Sequence, residues 1–190
     1  MMVEHAPLPG EAQDVLAFWF EEIDQEQWYL TAPLDEVDGV IRGRFLNLYL
    51  ALAERVPKDW LATPRGTLAA IIVLDQFPRN LFRGDARAYA CDPTALELAK
   101  RAIDRGFDQQ VSPRERIFFC IPFQHSERAD DQARSVELTT ALGDEKTLHY
   151  ADLHRRVIGR FGRFPHRNPI LGREPTAEEE EFLKQPGLFW

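Results

Sequence analysis

Apolar residues in this chain recur three and four positions apart, and no stretch alternates apolar with polar residues for long enough to make a strand. That periodicity confines the chain to helices packed through one face, an all-α protein. Glu11 to Ile23 sets Val15, Leu16, Trp19 and Phe20 on one side of a first helix. Pro33 suits a first helical turn, and Val37, Ile41, Phe45, Leu48 and Leu52 carry a stripe as far as Pro57. Within that helix Gly39 and Gly43, four apart, would either weaken the helix or let a neighbour approach closely, with close packing the favoured expectation. A third helix is expected after Thr67, with Leu68, Ile71, Ile72 and Leu74, and it should stop near Phe77 because Pro78 disfavours helical geometry in the residue before it.

Side-chain caps divide the second half. Asp92-Pro93 reads as a cap and a first-turn proline, opening a helix that Gly106 ends. Ser112-Pro113-Arg-Glu115 has the pattern of a capping box, and Pro122 should close that helix after Cys120 or Ile121. Ser126 is the expected cap of a helix over Glu127 to Leu142 that stops at Gly143, and Asp144 or Thr147 opens another that runs towards Phe161. Thr176-Ala-Glu-Glu179 is a further capping box, and glutamates 178–181 suit the positive end of a short last helix.

A chain of 190 residues can bury a sizeable core, and residues 1–190 are expected to form a single helical domain with an extension over 1–10 and an ordered loop over 165–175. Antiparallel helix pairs with short connections suggest a tetratricopeptide-like superhelix or bundle. No clean repeat of about 34 residues is present, so any repeats are degenerate. No apolar run approaches the roughly 18 residues of a membrane span, and the N-terminus lacks the basic and apolar segments of a signal, so no membrane partner and a cytoplasmic location are expected. The net charge of −8 argues against a nucleic-acid partner, which would need a basic face. Cys91 and Cys120 lie in apolar surroundings without metal spacing and read as buried free thiols.

Against that acidic background, six arginines (155, 156, 160, 163, 167 and 173) and two histidines lie between Leu153 and Arg173 with no carboxylate among them. Like charges at such density repel unless partners arrive from elsewhere in the fold or from a bound anion. Three groups could carry chemistry. Asp75, Gln76, Arg79 and Asn80 put a carboxylate, two amides and a guanidinium at a helix exit, and could equally satisfy carbonyls there. Arg160, Arg163, His166, Arg167 and Asn168 suit planar anionic groups, and could equally pair with the protein's own acids. His125, Ser126 and Glu127 follow Pro122 and have the composition of an acid/base set, with His125, Glu127 and Asp75 as the catalytic candidates. No glycine-flanked elbow supports Ser126 as a nucleophile. The histidines show no ligand spacing on one helical face, so no metal and no cofactor are expected.

Leu74-Asp-Gln-Phe-Pro-Arg-Asn80 with Arg83-Gly84, Glu115-Arg116, Pro122-Phe with His125-Ser-Glu127, and Arg160-Phe-Gly-Arg-Phe-Pro-His-Arg-Asn168 with Ile170-Leu-Gly-Arg173 together resemble the bacterial family named domain of unknown function 924. The resemblance spans nearly the whole chain and implies an all-helical, tetratricopeptide-like fold, with no established activity. It marks Arg116 and His154 beside the groups above. Pro175 departs from the family pattern, in which a serine commonly precedes the last helix start. The favoured expectation is a small anionic ligand held where the three groups converge, with acid/base chemistry. The alternative is a scaffold that grips a peptide or protein partner through arginine and asparagine.

Overall fold

The computed structural model describes residues 8–24, 28 and 35–185, and its regular elements are helices throughout. Expectations for the extension over 1–7 and for a helix start at Pro33 lie outside the described residues. In chain order the α-helices are α1 (Gly10–Ala17), α2 (Asp35–Glu54), α3 (Pro64–Ile71), α4 (Phe77–Leu81), α5 (Asp92–Asp104), α6 (Pro113–Gln124), α7 (Ala129–Leu142), α8 (Glu145–Phe161) and α9 (Ala177–Leu183). Among the described residues no helix is long and apolar enough to cross a membrane.

The centre of the molecule is a helix that is apolar on all sides. Leu68 to Leu74 are each at most 1% exposed, which a helix tolerates only when neighbours enclose it. α1, α2, α5 and α6 surround it, and α7 and α8 extend the stack from α6. Phe18, Phe45 and Phe77 interlock where α1 and α2 meet this helix, with ring centroids 5.2 Å and 5.0 Å apart for Phe18–Phe45 and Phe45–Phe77. Such aromatic pairs add about 0.5–1.5 kcal/mol beyond their buried area. A smaller cluster of Val157, Ile158, Phe164 and Phe182 fastens α9 to the end of α8.

Several boundaries differ from the sequence reading. The third helix starts at Pro64, capped by the Thr63 hydroxyl, and does not stop at Pro78. Between α3 and α4 the chain takes a wider π turn over Ile72–Gln76, in which the Phe77 N–H donates to the Ile72 carbonyl five residues back. That widening lets Pro78 enter α4 at its first turn, where its missing N–H matters least. The carbonyl of Asp75 accepts from the Arg79 guanidinium. Pro122 lies inside α6, which ends at Gln124. There the Gln132 amide donates to the carbonyls of Phe123, Gln124 and Ser126 at 3.3, 2.7 and 2.7 Å, holding the helix end that the proline would weaken.

Asp92 does not cap α5: it is the first helical residue, the cap position belongs to Cys91, and the carboxylate serves elsewhere. Nor does α7 begin at Glu127. It begins at Ala129, and the Ser126 hydroxyl accepts the Arg128 N–H at 3.2 Å while donating to Asp131 at 2.8 Å, a turn former ahead of the helix. Gly39 and Gly43 receive no close neighbour, since a Cβ at either would meet nothing within 4 Å. Gly66 is the helical glycine pressed by backbone: a Cβ there would lie 2.4 Å from the Trp60 carbonyl oxygen. The boxes at Ser112/Glu115 and Thr176/Glu179 both form, and Asp144 caps α8 by accepting the Thr147 N–H. Both cysteines are buried free thiols, and burial pushes Cys120 up to about 12.

Candidate functional site

The π turn aims Asp75 inward, and the end of α6 delivers His125 to meet it. The His125 Nδ1 lies 2.8 Å from one Asp75 oxygen, and the Gln76 amide donates to the other. Asp75 is 1% exposed. Burial alone would raise its pKa, but His125, Arg79 and the Gln76 amide outweigh that and hold it at about 2. An ionised carboxylate only accepts, so the hydrogen in the His125 contact sits on Nδ1 and Nε2 is the basic nitrogen of the ring. Burial, followed by the adjacent Arg79 charge, lowers the His125 pKa below its ordinary value, so the imidazole is neutral near pH 7.

Arg79 links this pair to Asp92 at the start of α5. Its guanidinium forms a two-pronged contact with Asp92 at 3.0 and 3.1 Å and lies 3.7 Å from Asp75. Burial works against its charge, yet the two carboxylates more than compensate and its pKa rises. Arg167, from the 3-10 turn Pro165–Arg167 beyond α8, reaches the same Asp92 with a single long contact of 3.4 Å. Its guanidinium lies between the rings of Tyr89 and Phe164, 4.5 Å from each centroid. Arg167 is 7% exposed, its Nε has no hydrogen-bond partner among the described residues, and burial lowers its pKa despite Asp92. The fold therefore favours the charge on Arg79 and disfavours the charge on Arg167.

Two more imidazoles border the cluster. His154 lies 6.3 Å from His125 between ring centroids, and its Nδ1 donates to the Tyr150 carbonyl at 2.7 Å. His166 stands beside Phe164, with centroids 5.7 Å apart. Burial, reinforced by neighbouring positive groups, takes both down to about 3.

The structure thus brings Asp75, Gln76, Arg79, His125, Arg167 and His166 together with Asp92, Tyr89, His154 and Phe164. The other candidates have separate partners. Asn80 donates to Asp38 at 2.8 Å, joining α4 to α2. Arg160 pairs with Glu178 at 2.8 Å, and Arg163 grips Glu179 at 2.6 and 2.7 Å and the Glu174 carbonyl at 2.9 Å. Arg163 and the Thr176 N–H bring Glu179 down to about 2 against burial, with Asn168 contributing. Glu127 accepts two bonds from Arg173, at 2.8 and 3.0 Å, and one from the Phe164 N–H at 2.8 Å, which ties the loop after α8 to the α6–α7 turn. Burial raises the Glu127 pKa, and these donors pull it below the ordinary range. The arginine block that lacked local acids draws them from α9, from the α6–α7 turn, from Asp92 and, for Arg155 and Arg156, from Asp152 on α8.

Asp92 is the member that the sequence disguised, because an Asp before Pro at a helix start has a local explanation. Tyr89 and Phe164 carried no signal that sets them apart from core aromatics. Among the described residues no group of three or more His, Cys, Asp or Glu side chains could hold a metal ion.

A family model described as "Bacterial protein of unknown function (DUF924)" matches residues 15–187. A solved structure of a protein of unknown function from Agrobacterium tumefaciens, ATU0120, is 42% identical, with 92% of this chain and 97% of that one covered and a TM-score of 0.86. No curated protein matches the sequence.

Proposed function

Because the chain belongs to the DUF924 family, described only as bacterial proteins of unknown function, we propose a function from its own geometry: Arg167 holds a small anionic molecule, and the His125–Asp75 pair moves a proton to or from it. The observation that carries this reading is the contrast between two arginines sharing one carboxylate. Arg79 makes two bonds to Asp92 and one to the Asp75 carbonyl, whereas Arg167 is buried between two aromatic rings with one contact of 3.4 Å, so most of its five N–H donors are not answered by Asp92. A buried guanidinium kept charged against its surroundings is stabilised by an anion that accepts from it. His125 supplies a neutral imidazole whose tautomer Asp75 sets, the arrangement of a general base. Ser126 is engaged in the α7 turn, so acid/base transfer is supported over nucleophilic attack.

The antiparallel helix pairs also suit a tetratricopeptide-like scaffold that binds a peptide. Arg160 and Arg163, which could clamp a carboxylate terminus, are paired with Glu178 and Glu179, and this favours the small-molecule reading. The test is thermal unfolding of the parent and of Arg167→Gln across inorganic sulfate, inorganic phosphate and acetate. The parent should be stabilised by about 2.7 kcal/mol at a hundredfold excess over Kd, and the variant should not respond. Equal response of both proteins, or none in the parent, would overturn the assignment.

A further inference from the structure

The charges around Arg167 already balance. Asp75 and Asp92 face Arg79 and Arg167, and the next shell closes as Glu127 with Arg173 and Glu179 with Arg163. The imidazoles of His125, His154 and His166 border this set, and burial lowers the pKa of each so that they add no charge near pH 7. An anion that settles on Arg167 would therefore leave its own charge as a surplus in a buried place, one unit for acetate and two for sulfate, and burial resists surplus charge strongly. A proton removes one unit of that surplus.

We infer that the Arg167 site takes up its anion together with a proton, and that the proton lodges on His125. This rests on the anion-site reading above. The route is electrostatic and continuous: His125 touches Asp75, Asp75 faces Arg79, Arg79 holds Asp92, and Asp92 touches Arg167. The groups facing His125 are Asp75 and Arg79 from the π turn and α4, Asp92 from α5, and His154 from α8; His166 and Arg167 follow from the loop after α8. In the free protein the positive member nearest His125 is Arg79, which opposes a second positive charge. A bound anion offsets that opposition and raises the proton affinity of His125. Asp75 accepts from Nδ1 in either state, so Nε2 receives the proton and no bond has to break. The ligand class is a weak or strong acid bound with the charge of its conjugate acid.

The measurement is titration calorimetry of the intact protein with inorganic sulfate and with acetate, neither of which titrates between about pH 6 and 8. Two cationic buffers of different ionisation enthalpy, imidazole and bis-tris, avoid a competing buffer anion. Binding should draw up to about one proton per anion from the buffer, and affinity should tighten by up to about tenfold for each pH unit on descending from 8 to 6. In His125→Asn, which retains a donor to Asp75, the anion should bind more weakly than to the parent at pH 6, with no proton uptake and no pH dependence; circular dichroism checks that the variant is folded. Binding to the parent at constant affinity without uptake would overturn this inference and leave the Arg167 site standing. Uptake that persists in folded His125→Asn would overturn the assignment to His125. Absence of binding by either anion to the folded parent would overturn the Arg167 reading and this inference with it.

Discussion

Replacing Asp75 by asparagine changes one atom in shape and one full charge, at a position that is 1% exposed. The carboxylate is held at about 2 against an ordinary 3.8. At about 1.36 kcal/mol per pH unit, that difference of roughly two units means that folding favours its ionised form by about 2–3 kcal/mol. Loss of the charge also leaves Arg79 and Arg167 opposed by Asp92 alone, and breaking a buried pair costs about 3–5 kcal/mol in general. Asp75→Asn should therefore lose about 2–5 kcal/mol at pH 7, a large part of the roughly 5–15 kcal/mol that holds a domain folded. The folded pKa lies below the unfolded one, so the contribution is complete above pH 3.8 and disappears as pH falls through 2. Urea unfolding of parent and variant side by side at pH 7, 5, 4 and 3 follows it together with the titration of His125, which touches Asp75 and takes up its proton in the same range. The gap should narrow by about 1 kcal/mol between pH 7 and pH 3. A gap that stays constant over that range, or is absent at pH 7, would refute the account of Asp75 as the ionised hub of the cluster.

Arg163→Gln and Arg167→Gln should separate stability from binding. Loss of Arg163 removes the grip on Glu179 and on the Glu174 carbonyl, and should lower Tm while sulfate still raises it. Loss of Arg167 removes a charge that burial disfavours, and should change Tm less while the sulfate response disappears; thermal unfolding with and without the anion checks both. Glu127→Gln should likewise lower Tm, because it loosens the bracing of the loop by Arg173 and the Phe164 N–H, and should leave sulfate affinity within about threefold of the parent, as calorimetry would read it. Gly66→Ala places a methyl 2.4 Å from the Trp60 carbonyl oxygen, a backbone atom that cannot rotate away, and should cost about 1–3 kcal/mol or more in urea unfolding.

Helix pattern and caps were legible in the sequence because both arise within a few residues. The apolar stripe of α2, the boxes at Ser112/Glu115 and Thr176/Glu179, and the Asp144 cap are satisfied by neighbours along the chain, so local spacing is enough to specify them. Pro78 and Pro122 were misleading for the same reason. A proline disrupts an isolated helix, but a π turn before Pro78 and the Gln132 amide beyond Pro122 keep these two continuous, and both corrections depend on the packed core. The candidate site was legible as residue types, guanidinium, imidazole and carboxylate in excess of what a helical surface needs, and as an expectation that three groups converge. Which arginine is held in reserve was not, because His125 finds Asp75 fifty positions away and Arg167 finds Asp92 seventy-five away. The hydrogen bonds of a helix are decided by chain neighbours. The charge a buried side chain can keep is decided by the groups that folding sets against it, and Arg163 and Arg167, four residues apart, differ because one meets a carboxylate of its own and the other shares one already taken.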